Sequence, residues 1–194
     1  MWSFERYRAA AMGFLWCASC AGSSASKDTA HIAPADITAE LLYPLHEGCA
    51  WSYDVDSGDG QPVLATVRVL RADTAGVDVQ TGQAVQRYAQ SAQGIQRAGQ
   101  RYFLLHSPFV SGAHWPSSAD AEARVIATEQ TVSTPAGNFP NCVVVREEHT
   151  SSLQQVTTTY CVGVGPVRIE SQMEVRGRVI RVIAALRGYN TEQS

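Results

Sequence analysis

The stretch from Thr134 to Val167, TPAGNFPNCVVVREEHTSSLQQVTTTYCVGVGPV, constrains this chain more than any other. Two runs rich in Val, Thr and Tyr flank Ser151-Ser152, a composition that favours two strands around a reversal. With the reversal centred between the two serines, Cys142 lies opposite Cys161, Val143 opposite Tyr160 and Val145 opposite Thr158. Opposed residues of an antiparallel pair have Cα atoms about 4.5–5.5 Å apart, within the range a disulfide spans. The spacing therefore predicts a β-hairpin closed by a Cys142–Cys161 bond, with Cys49 as the odd thiol. A bond from Cys49 to either cysteine is the alternative and implies a different register.

Short β-type runs and turn signals continue on both sides of this hairpin. SGDG at 57–60 separates Trp51–Asp56 from Pro62–Arg71, where Val63, Ala65, Val67 and Val69 share a face. Val167, Ile169, Met173 and Val175 alternate with Arg168, Glu170, Gln172 and Glu174. Ile180, Val182, Ala184 and Leu186 share a face of the last run. The pattern predicts an all-β fold, an antiparallel meander of about ten strands. Such a meander forms a curved sheet, half-barrel or sandwich, here with at most one short helix near 36–43. One spacing occurs twice, as Pro44-x3-Gly48-x2-Trp51 and Pro108-x3-Gly112-x2-Trp115. Pro and Gly shape the approach to a strand, and each Trp is expected to plug an end of the core.

Composition bounds the rest. With 45% hydrophobic and 17% charged residues in 194, a sizeable core is expected and wholesale disorder is not. We assign residues 41–190 to a single β domain. A formal net charge of −3 leaves no electrostatic footprint for nucleic acid.

The N-terminus, MWSFERYR followed by AAAMGFLWCAS, has a basic start and a short apolar run before small residues. That is the layout of a secretory signal, whose apolar core is about 7–15 residues. A membrane span needs about 20. Residues 1–20 are read as this signal and 21–40, small and polar, as a flexible tether. The run Cys17-Ala18-Ser19-Cys20 also resembles a bacterial lipoprotein signal, with Cys17 where leucine is usual. That resemblance implies a lipid on Cys20 and attachment to the membrane through it. Ordinary cleavage near Ala21 is the rival, and both place the protein in the cell envelope.

Three segments, P-L-x-x-G-x-x-W-x-Y at 44–53, T-P-A-G-x-F-x-N-C at 134–142 and Y-x-x-G-V-G-x-V at 160–167, carry a wider resemblance. The chain is similar over most of 41–189 to a family of largely uncharacterised exported bacterial proteins, many of them lipoproteins. The resemblance implies the fold and gives Gly48, Trp51, Gly137, Gly163 and Gly165 a structural role. It brings no catalytic residues with it. Remotely, the family resembles the curved antiparallel sheets with which lipoprotein carriers cradle acyl chains.

The segments that come nearest to a chemical motif each lack a required part. Asp54-Val55-Asp56-Ser57-Gly58-Asp59-Gly60 starts like a calcium loop, but Ala65 stands where the bidentate Glu belongs, so it reads as an acidic hairpin tip. His31, His46, His106, His114 and His149 show no ligand spacing for zinc. Ser111 near His106, His114 and Asp120 lacks the G-x-S-x-G elbow. Gly163-Val164-Gly165-Pro166 is a bend, since its proline removes a backbone donor and no helix follows. Glu147 and Glu148 point to opposite faces of a strand. No catalytic residue, cofactor or metal is therefore expected. The reading is a non-enzymatic envelope protein acting as a binding or structural accessory module. A carrier of a lipid or other apolar ligand in a concave sheet is the first alternative, and a hydrolase built on residues 106–120 the second.

Overall fold

The computed structural model describes residues 36–191. Thr38 opens a single helical turn, α1 (Ala39–Leu42), its hydroxyl accepting the N–H of Leu41 at 3.2 Å. Twelve strands follow. The first six are β1 (Ala50–Asp56), β2 (Val63–Asp73), β3 (Gly76–Thr81), β4 (Ala84–Ser91), β5 (Gly94–Arg97) and β6 (Phe103–His106). The second six are β7 (His114–Pro116), β8 (Ala121–Thr134), β9 (Gly137–His149), β10 (Gln154–Cys161), β11 (Gly165–Val175) and β12 (Arg178–Asn190).

All twelve lie in one antiparallel sheet of order β6-β5-β4-β3-β2-β1-β12-β11-β10-β9-β8-β7. Every consecutive pair is joined except β6 and β7, and the first strand pairs with the last. The sheet is thus a nearly closed barrel with its seam between β6 and β7. The Trp115 indole spans that seam, donating to the Phe103 carbonyl at 3.0 Å. The expected meander of about ten strands is found as twelve. The strand hidden from the sequence is β7, three residues long and ending in Pro116.

One end of the barrel is closed. Ile37, Ala39, Leu42, Tyr43 and Leu45 are buried there, so the packed domain reaches back to Ile37, into the stretch read as tether. Trp51 is the hub. Its ring meets Tyr43 edge-on at 5.2 Å, and its N–H donates to the Val164 carbonyl at 2.6 Å. Tyr53 donates to the Pro166 carbonyl at 2.8 Å. Gly163 donates its N–H to the Leu41 carbonyl at 2.7 Å. A Cβ on Gly165 would sit 2.9 Å from the Trp51 indole nitrogen, so only glycine lets the ring come this close. The lower ends of β8 and β9 curl over as a flap around Gly137. Ala136 donates to the Leu186 carbonyl at 3.0 Å, and Phe139 meets Tyr189 at 5.7 Å. All three sequence motifs thus converge on the closed end.

The doubled Pro-x3-Gly-x2-Trp spacing marks two equivalent lead-ins, to β1 and to β7. Gly48 and Gly112 have φ of +85° and +87°, and donate to Val69 and Val125. Val69 and Val125 return bonds of 2.8 Å to the carbonyls of Cys49 and Ala113. Trp51 and Trp115 are both buried.

β9 and β10 pair as Cys142↔Cys161, Val143↔Tyr160 and Val145↔Thr158, and Cys142 and Cys161 are disulfide-bonded. Cys49 is a buried free thiol.

Close backbone approach also marks Gly94 at the head of β5. Its φ is +153°, and a Cβ there would lie 1.9 Å from the Leu105 carbonyl oxygen. Gly94→Ala is expected to cost about 2 kcal/mol or more, since both backbone strain and a β5–β6 hydrogen bond are involved. Gly82→Ala, at a turn with nothing near its added Cβ, should cost about 1 kcal/mol. Urea denaturation of the two variants checks the difference, and equal costs would contradict this account of Gly94.

Candidate ligand-binding site

Cross-strand partners share a face of the sheet, so the registers specify the barrel's inner wall. One rung runs Val63, Val55, Ala184, Ile169, Thr158, Val145, Val125. Above it lies Val182, Ser171, Val156, Glu147, Ala123, Trp115. The next is Ile180, Met173, Gln154, His149, Ala121. Val125 and Val145 are buried, which identifies this face as inward. Along the same rungs Val63 is 67% and Ile180 45% exposed, while Val55, Ile169, Met173, Val182 and Ala184 are half-buried. Away from the closed end the barrel therefore opens as an apolar trough, with an inner wall that its own side chains do not fill.

On the β5–β10 flank the trough deepens to a cavity of about 340 Å³, within the roughly 300–1,000 Å³ of ligand sites. Leu104, Ala123, Val145 and Val156 give its apolar wall. Arg97, Glu147, His149, Gln154, Thr158 and Tyr160 give its polar one. A second hollow of about 360 Å³ lies beside α1, lined by small and polar residues such as Thr38, Glu40, Gln90 and Ser91. Ala39, Ala92 and Ile95 give it an apolar side, but Glu40 is its one charged residue and it is not continuous with the inward rungs, so we regard the 340 Å³ cavity as the site.

Most polar groups at its mouth hold one another. His149 is 2.7 Å from Glu147 through Nε2, and its Nδ1 is 3.8 Å from Asp120. Ser118 donates to Asp120 at 2.7 Å and Ser151 donates to its other oxygen. Those two bonds, the one from Ser151 foremost, hold the Asp120 carboxyl below the usual carboxylate range. Burial pushes the Tyr160 hydroxyl well above its ordinary value, so it stays protonated. Tyr88 stands opposite Arg97 on β4, and burial raises its pKa against the lowering effect of that charge.

The residues proposed from sequence for a hydrolase do not assemble. His106 packs against Phe103 at 4.4 Å and Trp115 at 6.3 Å. His114 is exposed, its Nδ1 3.4 Å from the Gly112 carbonyl, and Ser111 is exposed. Asp120 turns instead to His149, and both serines at the mouth donate to that carboxylate rather than to a histidine. Among the described residues no serine, threonine or cysteine is hydrogen-bonded to a histidine, and no three side chains are placed to hold a metal ion. Asp56 accepts the N–H of Gly58 at 2.8 Å and Asp54 pairs with Arg187 at 3.0 Å, as suits a hairpin tip. Cys20 lies outside the described residues.

Sequence reading missed Arg97, Glu147 and His149 as a group. The hairpin register held part of the signal, because it sets Glu147 opposite Val156 and His149 opposite Gln154. Polar residues on an inward face are the mark of a site rather than a core.

No family model matches the chain, and no curated protein is similar to it. Solved structures do resemble it. One is a candidate exported protein with a YmcC-like fold from Bacteroides fragilis, at 14% identity and a TM-score of 0.47, covering 77% of this chain and 99% of that one. Another is a candidate lipoprotein from Parabacteroides distasonis, at 13% identity and a TM-score of 0.35, covering 77% and 98%. Neither likeness bears on what this chain binds.

Proposed function

We propose that this chain is an exported envelope protein, lipid-anchored through Cys20 or released by cleavage nearby, whose β domain binds a small amphipathic molecule without catalysis. Export is supported by the basic, short-apolar N-terminus and by a disulfide that suits an oxidising compartment. Membership of the exported family rests on the three motifs, which build the closed end and give the site Tyr160 alone. The single observation that carries binding is the trough itself. Inward-facing aliphatic side chains remain exposed across β2, β1, β12, β11 and β10, and a polar flank stands on one side of them. Unfilled apolar surface of this kind marks a ligand groove. Ser118 and Ser151 donate to an Asp120 carboxylate that those same bonds make a weaker base, and neither donates to His149.

Titration with N-phenyl-1-naphthylamine, which fluoresces in apolar surroundings, tests this. The wild-type protein should bind it saturably. Val156→Trp, which fills the cavity, should weaken binding by about tenfold or more with circular dichroism unchanged. Absence of binding, or equal binding by the variant, would sink the proposal.

A further inference from the structure

We infer that the ligand carries a carboxylate headgroup, and that Arg97 receives it while a single aliphatic chain lies along the trough. This rests on the binding function proposed above and specifies its ligand. Arg97 ends β5 on the inner wall of the cavity and is half-buried. Among the described residues no carboxylate comes within ion-pairing distance of it. Arg71, Arg87, Arg124, Arg168, Arg181 and Arg187 are each paired with an acidic side chain, and of the described arginines without such a pair Arg97 is the one that lines the cavity. A guanidinium is always charged and offers five N–H donors in a planar fork. Tyr88 stands opposite Arg97 on β4, and Arg97 itself lines the cavity. A carboxylate matches that fork with two parallel bonds, which are stronger in a partly desolvated site than in water.

The other charges in the cavity do not compete. Glu147 is engaged by His149, so a cationic headgroup would have to displace an existing pair, whereas an anionic one meets a guanidinium without an acidic partner. Chain direction follows from the layout. Leu104 and Val156 adjoin the polar flank, and Ile169, Val182 and Val55 continue the apolar surface across neighbouring strands. A cavity near the lower bound for ligand sites suits one chain rather than two.

The test uses the full chain and three ligands of equal chain length, dodecanoate, dodecanol and dodecyltrimethylammonium, each displacing N-phenyl-1-naphthylamine. Dodecanoate should bind about tenfold or more tighter than the other two, the scale of one charge-assisted pair. Arg97→Gln should remove that preference and leave dodecanol affinity unchanged, and Arg97→Lys should keep most of it. Unchanged dodecanol binding also reports that the Gln variant is folded. A preference for the cation, or one that survives Arg97→Gln, overturns the inference and leaves the binding function standing. Failure of all three ligands to displace a bound probe overturns the inference as well. Failure of the probe itself to bind brings down the binding function with it. Displacement by a peptide of residues 21–35 would make the chain's own N-terminal segment the occupant, and would also overturn it.

Discussion

Trp51→Ala is expected to destabilise the domain by about 3–5 kcal/mol, the range for truncating a fully buried tryptophan. Trp51 is 1% exposed and gathers two distant parts of the chain. Tyr43 comes from the N-terminal segment, Val164 from the β10–β11 turn, and Gly165 stands within contact of the ring. Truncation would leave a cavity beneath Tyr43 and orphan the Val164 carbonyl. A midpoint of thermal unfolding lowered by roughly 10 °C or more is the expected reading. Trp51→Phe keeps most of the area but loses the indole donor, so it should cost less, about 1–3 kcal/mol. Equal losses for the two variants would mean that the hydrogen bond, rather than the ring, holds the closed end together.

Loss of the Cys142–Cys161 bond is the second large effect. The two cysteines are 19 residues apart in sequence, and the chain-entropy account of closing such a loop gives about 3 kcal/mol. Cys142→Ser with Cys161→Ser should therefore lower the unfolding midpoint by roughly 6–12 °C. Both side chains are fully buried, so desolvating two new hydroxyls would deepen the loss, less at position 142, where the Phe139 carbonyl lies 3.1 Å from the sulfur. The double variant Cys142→Ala with Cys161→Ala separates the two causes. Non-reducing peptide mapping should recover these two cysteines linked and Cys49 free. A midpoint insensitive to both double variants would show that the hairpin needs no covalent closure.

Much of the fold was legible in local chemistry. The β9–β10 register follows from the centre of one reversal, because a hairpin's pairing is determined by its turn. The alternation of Val167, Ile169 and Met173 likewise announced which side of β11 faces inward. Less was legible where distant contacts decide. β7 exists because its Trp115 is buried and bonded across the seam to Phe103, and three residues ending in proline carry too little propensity to show it. Ile37 and Ala39 sit in a small, polar stretch that composition reads as tether, yet they plug the closed end. The curl of β8 and β9 over β12 depends on Ala136 finding Leu186, fifty residues away in sequence.

The site was the least visible part. Its residues come from β5, β6, β8, β9 and β10, and Tyr160 is the one that a motif contains. Proximity in sequence grouped His106, His114 and Asp120, whereas folding sends Asp120 across to the β9–β10 turn, where Ser151 and His149 meet it. What looked like a loop with catalytic parts is a latch between two turns at the mouth. The glycines of the three motifs and Trp51 mark the opposite end of the barrel. Strand alternation showed the apolar inner face, and the polar flank was what it did not show.

Methyl-resolved NMR during a dodecanoate titration tests the trough most directly. Val156, Ile169, Ile180 and Val182 point inward along the rungs, whereas Val144 on the adjoining β9 and Val179 on β12 point outward. The account predicts saturable shifts at the four inward methyl groups, with Val144 and Val179 still. Shifts on the outward pair, or none at the inward four, would contradict it.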